Sequence, residues 1–235
     1  MDHLILTCEH GGNDVPEAYR PLFADHRHLL PTHRGWDPGA LLVAREMAAR
    51  FSAPLHFETT TRLLVDLNRS LSASDLHSEA TRDQPSTVRQ QILDRHYHPH
   101  RQAVTGAVAA AVGGGARVVH LASHSFTPEL NGEVRDADVG LLFDPTRPGE
   151  VALVDAWIAA MADADPALRL RRNYPYLGTG DGPTAALRRH YPDDRYVGIT
   201  FEVNQRYAEE GGAPWTRLRA VLVESLATAL LRPLR

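Results

Sequence analysis

Two histidines stand where apolar runs break into polar turns. Leu4-Ile5-Leu6-Thr7 leads through Cys8-Glu9-His10 into Gly11-Gly12, and Val118-Val119-His120-Leu121-Ala122 runs out into Ser123-His124-Ser125-Phe126. Imidazole is the commonest protein ligand for a catalytic metal, and open α/β sheets bind ligands beyond the carboxyl ends of their strands. His10 and His124 therefore point to one shared metal site and to hydrolytic chemistry. Gly11 and Gly12 let the backbone turn tightly after His10, while the third glycine and the helix of a dinucleotide fingerprint are missing. Glu9 is expected on the face opposite His10.

Carboxylates and cations with matching chemistry lie elsewhere in the chain. Asp37, in Trp36-Asp37-Pro38-Gly39, can either cap a following helix or offer its carboxylate to a metal. Period-two alternation in Leu63-Leu64-Val65-Asp66-Leu67-Asn68 predicts a strand with Asp66 and Asn68 on one face and Leu63, Val65 and Leu67 on the other. Asn68 and Arg69, side by side, suit capture of a substrate carboxylate, because a guanidinium fork matches its two oxygens. Glu202 closes the apolar run Val197-Gly198-Ile199-Thr200-Phe201. A glutamate there needs a partner or a task, since an unpaired buried charge is costly; pairing with Arg206 is the plain alternative. Arg135 and Tyr176 sit in loops from which either could touch substrate.

These residues require a scaffold that brings strand ends together. Strand-like runs lie at residues 3–8, 54–59, 63–67, 117–122, 138–143, 169–175 and 196–203. Helical patterns cover 40–51, opened by Asp37-Pro38-Gly39, then a long stretch from Gln84-Pro85-Ser86 toward Ala111, and finally 150–162 and 214–231. Strands alternating with helices imply an α/β fold, a three-layer α/β/α sandwich around a mixed, mostly parallel sheet. With 235 residues, 43% of them hydrophobic, and no Ser/Gly/Pro-rich linker, one domain spanning 1–235 is expected.

A formal charge of -4 with scattered basic residues argues against nucleic acid as a partner. The single cysteine, Cys8, excludes an internal disulfide and suits a reducing cytosol. Met1-Asp2-His3 is acidic where a secretory signal is basic, and no apolar run reaches about 18 residues, so a cytoplasmic protein without a membrane partner is expected. Oligomeric state is left open.

Taken together, Cys8-Glu9-His10-Gly11-Gly12-Asn13, Trp36-Asp37-Pro38-Gly39-Ala40, Arg62 with Asp66-Leu67-Asn68-Arg69, Ser123-His124-Ser125-Phe126-Thr127-Pro128, Asn173-Tyr174-Pro175-Tyr176 and Phe201-Glu202-Val203-Asn204 resemble the N-formylglutamate amidohydrolase family, in order and over nearly the whole chain. The resemblance implies the zinc-exopeptidase type of fold shared with carboxypeptidases and aspartoacylase, one zinc ion per chain, a small N-acyl amino acid as substrate and a place in histidine catabolism. Those relatives bind zinc through a His, a Glu three residues on, and a later His. Here Asn13 stands three residues after His10, so the third ligand falls to Asp37, Asn13 or Asp14, with Asp37 preferred. A catalytic zinc takes three protein ligands and leaves one position for water, whose pKa falls to about 7. Glu202 is then the general base, as the resemblance implies for a strand-end glutamate, and Arg62, by likeness to aspartoacylase, supports the developing oxyanion.

The remaining polar clusters carry weaker signals. In His96-Tyr97-His98-Pro99-His100 the proline is expected to break the helix and leave a solvated junction. His26, His28 and His33 read as surface or loop residues. Serine-triad chemistry at Ser123-His124-Ser125 lacks a Gly-x-Ser-x-Gly elbow. A non-catalytic metal- or carboxylate-binding protein on the same scaffold is the rival of another class, favoured by Asn13 and opposed by the company of Glu202, Arg62 and Arg69.

Overall fold

The computed structural model describes residues 2–231. In chain order its strands are β1 (Asp2–Cys8), β2 (Leu55–Phe57), β3 (Arg117–Phe126), β4 (Glu129–Leu130), β5 (Glu133–Val134), β6 (Val139–Leu142), β7 (Leu170–Arg172) and β8 (Tyr196–Asn204). The helices are α1 (Ala40–Phe51), α2 (Ser86–Ile92), α3 (His98–Gly113), α4 (Pro148–Ala164), α5 (Pro183–His190), α6 (Arg206–Glu210) and α7 (Gly212–Leu230). Six strands form one sheet in the order β2-β1-β3-β8-β6-β7, while β4 and β5 make a separate hairpin. All neighbours in the large sheet run parallel except β6 against β8.

Alternate residues of the central strands serve two cores. Leu6, Val119, Leu121, Val197, Ile199 and Phe201 pack with α1, α4 and α7 on one face. Ile5, Val118 and Tyr196 pack with Val104 and Val108 of α3 and Leu187 of α5 on the other. Strands covered on both faces read as nearly continuous apolar runs, which is why β1, β3 and β8 stand out in the sequence. The result is the expected three-layer α/β/α sandwich with a mixed, mostly parallel sheet. Among the described residues no helix is long and apolar enough to cross a membrane.

The strand order creates the crevice. From β1 the chain crosses by α1 to β2 on one side, then returns across β1 by α3 to β3 on the other. Loops leaving β1 and β3 therefore part at their carboxyl ends, and ligands of open α/β sheets bind at such a switch point.

Several expected elements differ. Residues 63–67 are not a strand: Leu64 N–H bonds Thr61 O, Asp66 N–H bonds Leu76 O, and Leu63, Leu64, Val65 and Leu67 are all buried. The alternation failed because this turn-rich segment is buried on all sides, in a second core with Tyr19, Phe23 and Ile92. The run at 169–175 ends at Arg172, since Asn173 takes a positive φ of 48° and its Oδ1 accepts from the backbone N–H groups of Phe143 and Gly178. The proline at 99 does not break its helix. A π-helical turn at Leu93–Tyr97 joins α2 to α3, and Pro99 falls in the first turn of α3, where its missing N–H costs little. Helices α5 and α6 and the β4–β5 hairpin were not foreseen; each of these elements spans eight residues or fewer.

Candidate metal centre and active site

His10 follows the end of β1, and the turn after it is possible only without side chains. A Cβ on Gly11 would come within 2.9 Å of Glu58 O, and one on Gly12 within 2.6 Å of Thr59 O. His124 lies inside β3, which runs on to Phe126 instead of stopping at 122. Glu202 lies inside β8, ahead of its end at Asn204, and is the register partner of His124, so both project from the same face of neighbouring strands.

Asp37 joins the histidines from the loop before α1. It does not cap that helix: Gly39, at φ 83°, occupies the cap position, with no side-chain hydrogen bond there. The carboxylate turns inward instead. Its Oδ2 lies 2.8 Å from His124 Nδ1 and 3.3 Å from His10 Nδ1, and its Oδ1 lies 3.4 Å from Arg62 Nη1. His10, Asp37 and His124, all buried, offer ligand atoms within 4.8 Å of one another, the one such group among the described residues. The other candidates lie elsewhere. Asn13 donates its amide to Leu30 O, and Asp14 is exposed, bridged to Thr60.

The rear nitrogens of both rings face carboxylates. His10 Nε2 lies 2.7 Å from Asp66 Oδ1, and His124 Nε2 lies 3.2 Å from Glu9 Oε2. Asp66 is held in turn by Arg62 Nη2 at 2.7 Å and by the backbone N–H of Asn68, so Asp66 and Asn68 are linked by a tight turn and do not share a strand face. Two imidazoles backed by carboxylates, with a third carboxylate between their front nitrogens, suit a zinc ion in ligand type and in outer-shell support. The group fits the donors present.

Burial and charge tune this cluster strongly. Burial alone would raise Asp37, yet the imidazoles of His10 and His124 hold its carboxyl well below the ordinary range. Burial works against a charged His124 too, and there the hydrogen bonds and charges of Asp37 and Glu9 win, raising it well above the usual imidazole value. Glu202 goes the other way: desolvation pushes it up to about 8, against the pull of His124. Its Oε2 has no hydrogen-bond partner, and Arg206, the alternative partner, pairs with Asp138 instead.

A cavity of about 900 Å³ opens over these groups. The structure brings His10, Asp37, Arg62, Asn68, Arg69, His124, Tyr176 and Glu202 to its wall. Arg69 meets it while bonded to Asp75 at 2.8 Å. Arg135 is not on the wall itself; it stacks 5.2 Å from the Tyr176 ring and lies 3.2 Å from its hydroxyl. His33, read as a loop residue, is exposed but lines the cavity.

Sequence reasoning gave Glu9 no role and read His100 as part of a solvated junction. Glu9, one residue past the end of β1, is fully buried and faces His124 Nε2 at 3.2 Å. His100, expected at a solvated junction, is buried with its Nε2 3.8 Å from Glu9 Oε1. The signal for Glu9 was its adjacency to His10; for His100 it was the unbroken amphipathic run on both sides of Pro99.

Fold and site together define an α/β protein with a His-Asp-His cluster at the switch point of its sheet, beside a buried glutamate. The N-formylglutamate amidohydrolase family model matches residues 2–208. A gene product of Agrobacterium tumefaciens is similar at 29% identity and TM-score 0.82, over 97% of this chain and 90% of that one. The N-formylglutamate amidohydrolase of Ralstonia eutropha JMP134 shares the fold at 18% identity and TM-score 0.71, over 98% and 94%. No curated protein sequence matches the chain. The chain belongs to the N-formylglutamate amidohydrolase family, whose members are hydrolases of amide bonds.

Proposed function

We propose that the chain works as a single domain that hydrolyses the N-acyl amide bond of a small carboxylate-bearing substrate such as N-formyl-L-glutamate, with one zinc ion held by His10, Asp37 and His124. The observation that carries this reading is the convergence of those three ligands, within 4.8 Å, beside Glu202. Bound zinc supplies a Lewis acid and a lowered water pKa. Glu202, in a buried setting that favours the proton, would take the proton released as water adds to the carbonyl carbon and pass it to the amine as the C–N bond breaks. Arg62 reaches the cavity wall from its anchorage on Asp37 and Asp66, where its guanidinium can stabilise negative charge growing on the carbonyl oxygen. Asn68 and Arg69 anchor the substrate carboxylate, and Tyr176, braced by Arg135, closes the rim. Buried, free Cys8 supports a reducing compartment such as the cytoplasm.

The test is metal content and turnover together. Purified protein is expected to hold about one zinc per chain and to lose deformylation of N-formyl-L-glutamate on chelation. Full activity after exhaustive metal removal overturns the mechanism. Metal-replete protein that turns over no N-acyl amino acid overturns the enzymatic reading in favour of a binding protein.

A further inference from the structure

Behind the metal cluster, Glu9 is wholly buried, and neither of its oxygens makes a hydrogen bond of good geometry. A carboxylate in that position costs several kcal/mol unless an opposite charge or strong donors face it. Among the described residues its ion-pair contacts are two imidazoles, His124 at 3.2 Å and His100 at 3.8 Å. Packing or an arginine therefore does not explain Glu9; its environment is made by histidines.

The placement is built into the sheet. The β1–β3 register runs to Thr7 beside Ala122; Glu9 follows two residues past Thr7 as His124 follows Ala122, and 3.2 Å separates Glu9 Oε2 from His124 Nε2. The long helix α3 packs against β1 and β3 and delivers His100 from outside. Across the cluster, His10 shows the same pattern from the other side, with Asp37 at Nδ1 and Asp66 at Nε2. The difference is that Asp66 is also bonded to Arg62, whereas Glu9 leans on His100.

We propose that Glu9 is a positioning residue for the site. Its Oε2 faces His124 Nε2 at 3.2 Å and, as acceptor for that N–H with the metal bound, would keep the Nδ1 lone pair turned toward the metal position, while His100 stands against its other oxygen. The proposal rests on reading His10, Asp37 and His124 as the metal ligands. Outer carboxylates of this kind fix the tautomer and ring angle of a ligand histidine and raise its basicity.

Zinc-loaded wild type and the near-isosteric Glu9→Gln variant, titrated against a competing chelator, decide the matter. Glu9→Gln is expected to bind zinc about 10- to 100-fold more weakly, and its cobalt-substituted form to show shifted visible absorption bands, a change that a merely structural role would not produce. Thr7→Val, two residues before Glu9 but bonded to His120, keeps wild-type affinity and the wild-type cobalt spectrum. Wild-type affinity and spectrum in folded Glu9→Gln overturn the proposal. If Glu9→Gln does not fold, His100→Asn reads the same chain from its outer end: a smaller loss of affinity supports the role, and no loss overturns it. His124→Ala separates the two levels. Unchanged zinc binding there sinks the ligand reading, while loss of zinc there with none in Glu9→Gln sinks only the positioning role.

Discussion

His120 and His124 lie four residues apart on one strand, on one face, and both are buried. Their chemistry is opposite. His120 touches neutral groups, with Nε2 3.0 Å from Thr7 Oγ1 and Nδ1 2.7 Å from the Tyr196 hydroxyl, and burial pushes it down to about 4. His124 sits between the carboxylates of Asp37 and Glu9 and is raised despite equal burial. Depth in the fold is the same for both, so the partners decide. Within a few residues β3 passes from a closed neutral polar cluster to an electrostatically loaded site.

The sharpest way to break that contrast is to remove each ring. His124→Ala should empty the zinc site and abolish deformylation, whereas His120→Asn should keep about one zinc per chain; metal analysis after gel filtration checks both. Equal zinc in the two variants would erase the distinction.

Glu202, level with His124 on β8, is expected to carry the next largest effect. Glu202→Gln should retain zinc and lose about 10²- to 10⁴-fold in kcat. The same variant tests the cost of its burial. Its folded pKa of about 8 lies above the ordinary carboxylate value, so ionisation penalises the folded state increasingly from about pH 4.5 to 8. Chelator-treated Glu202→Gln should therefore unfold at higher urea than wild type at pH 8, with the gap closing toward pH 4.5.

For His120 the sign is reversed. The unfolded chain takes up the proton below about pH 6.5, while the folded chain resists it until about pH 4. The neutral cluster's contribution is thus complete above pH 6.5 and lost as pH falls to 4, a difference on the order of 3 kcal/mol. Urea unfolding of chelator-treated wild type against His120→Asn across that window should show the slope in wild type and its loss in the variant.

The smallest effect concerns the cavity wall away from both histidines. Arg69 shares its charge with exposed Asp75, so Arg69→Ala should raise KM for N-formyl-L-glutamate about tenfold, worth about 1.4 kcal/mol, with kcat little changed. A loss in kcat instead would move Arg69 from holding substrate to the chemical step.

Much of this was legible in the linear chain. The apolar runs of β1, β3 and β8 and the periodicity of α1, α4 and α7 follow from burial on fixed faces, and local pattern reports that burial directly. His10, His124 and Glu202 were found because a polar residue at the end of a buried strand is costly to keep there unless it has a partner or a task. The segment 62–70 misled, since its alternation belongs to a turn buried all round, where Asp66 bonds the N–H of Asn68. Asp37 was ambiguous, because a helix cap and a ligand carboxylate look alike until the direction of the side chain is known.

The sequence by itself determined the layer architecture, the strand ends that carry the histidines, and the supply of carboxylates and arginines around them. These are short-range matters of periodicity and residue type. Only the tertiary structure decided that Asp37, and not Asn13 or Asp14, meets the two rings, that Glu9 and Asp66 stand behind them, and that His100 reaches in from α3. Those contacts join residues far apart in the chain, Asp37 and His124 being separated by 87 positions. Which of them form depends on strand order and register, quantities that no local pattern encodes.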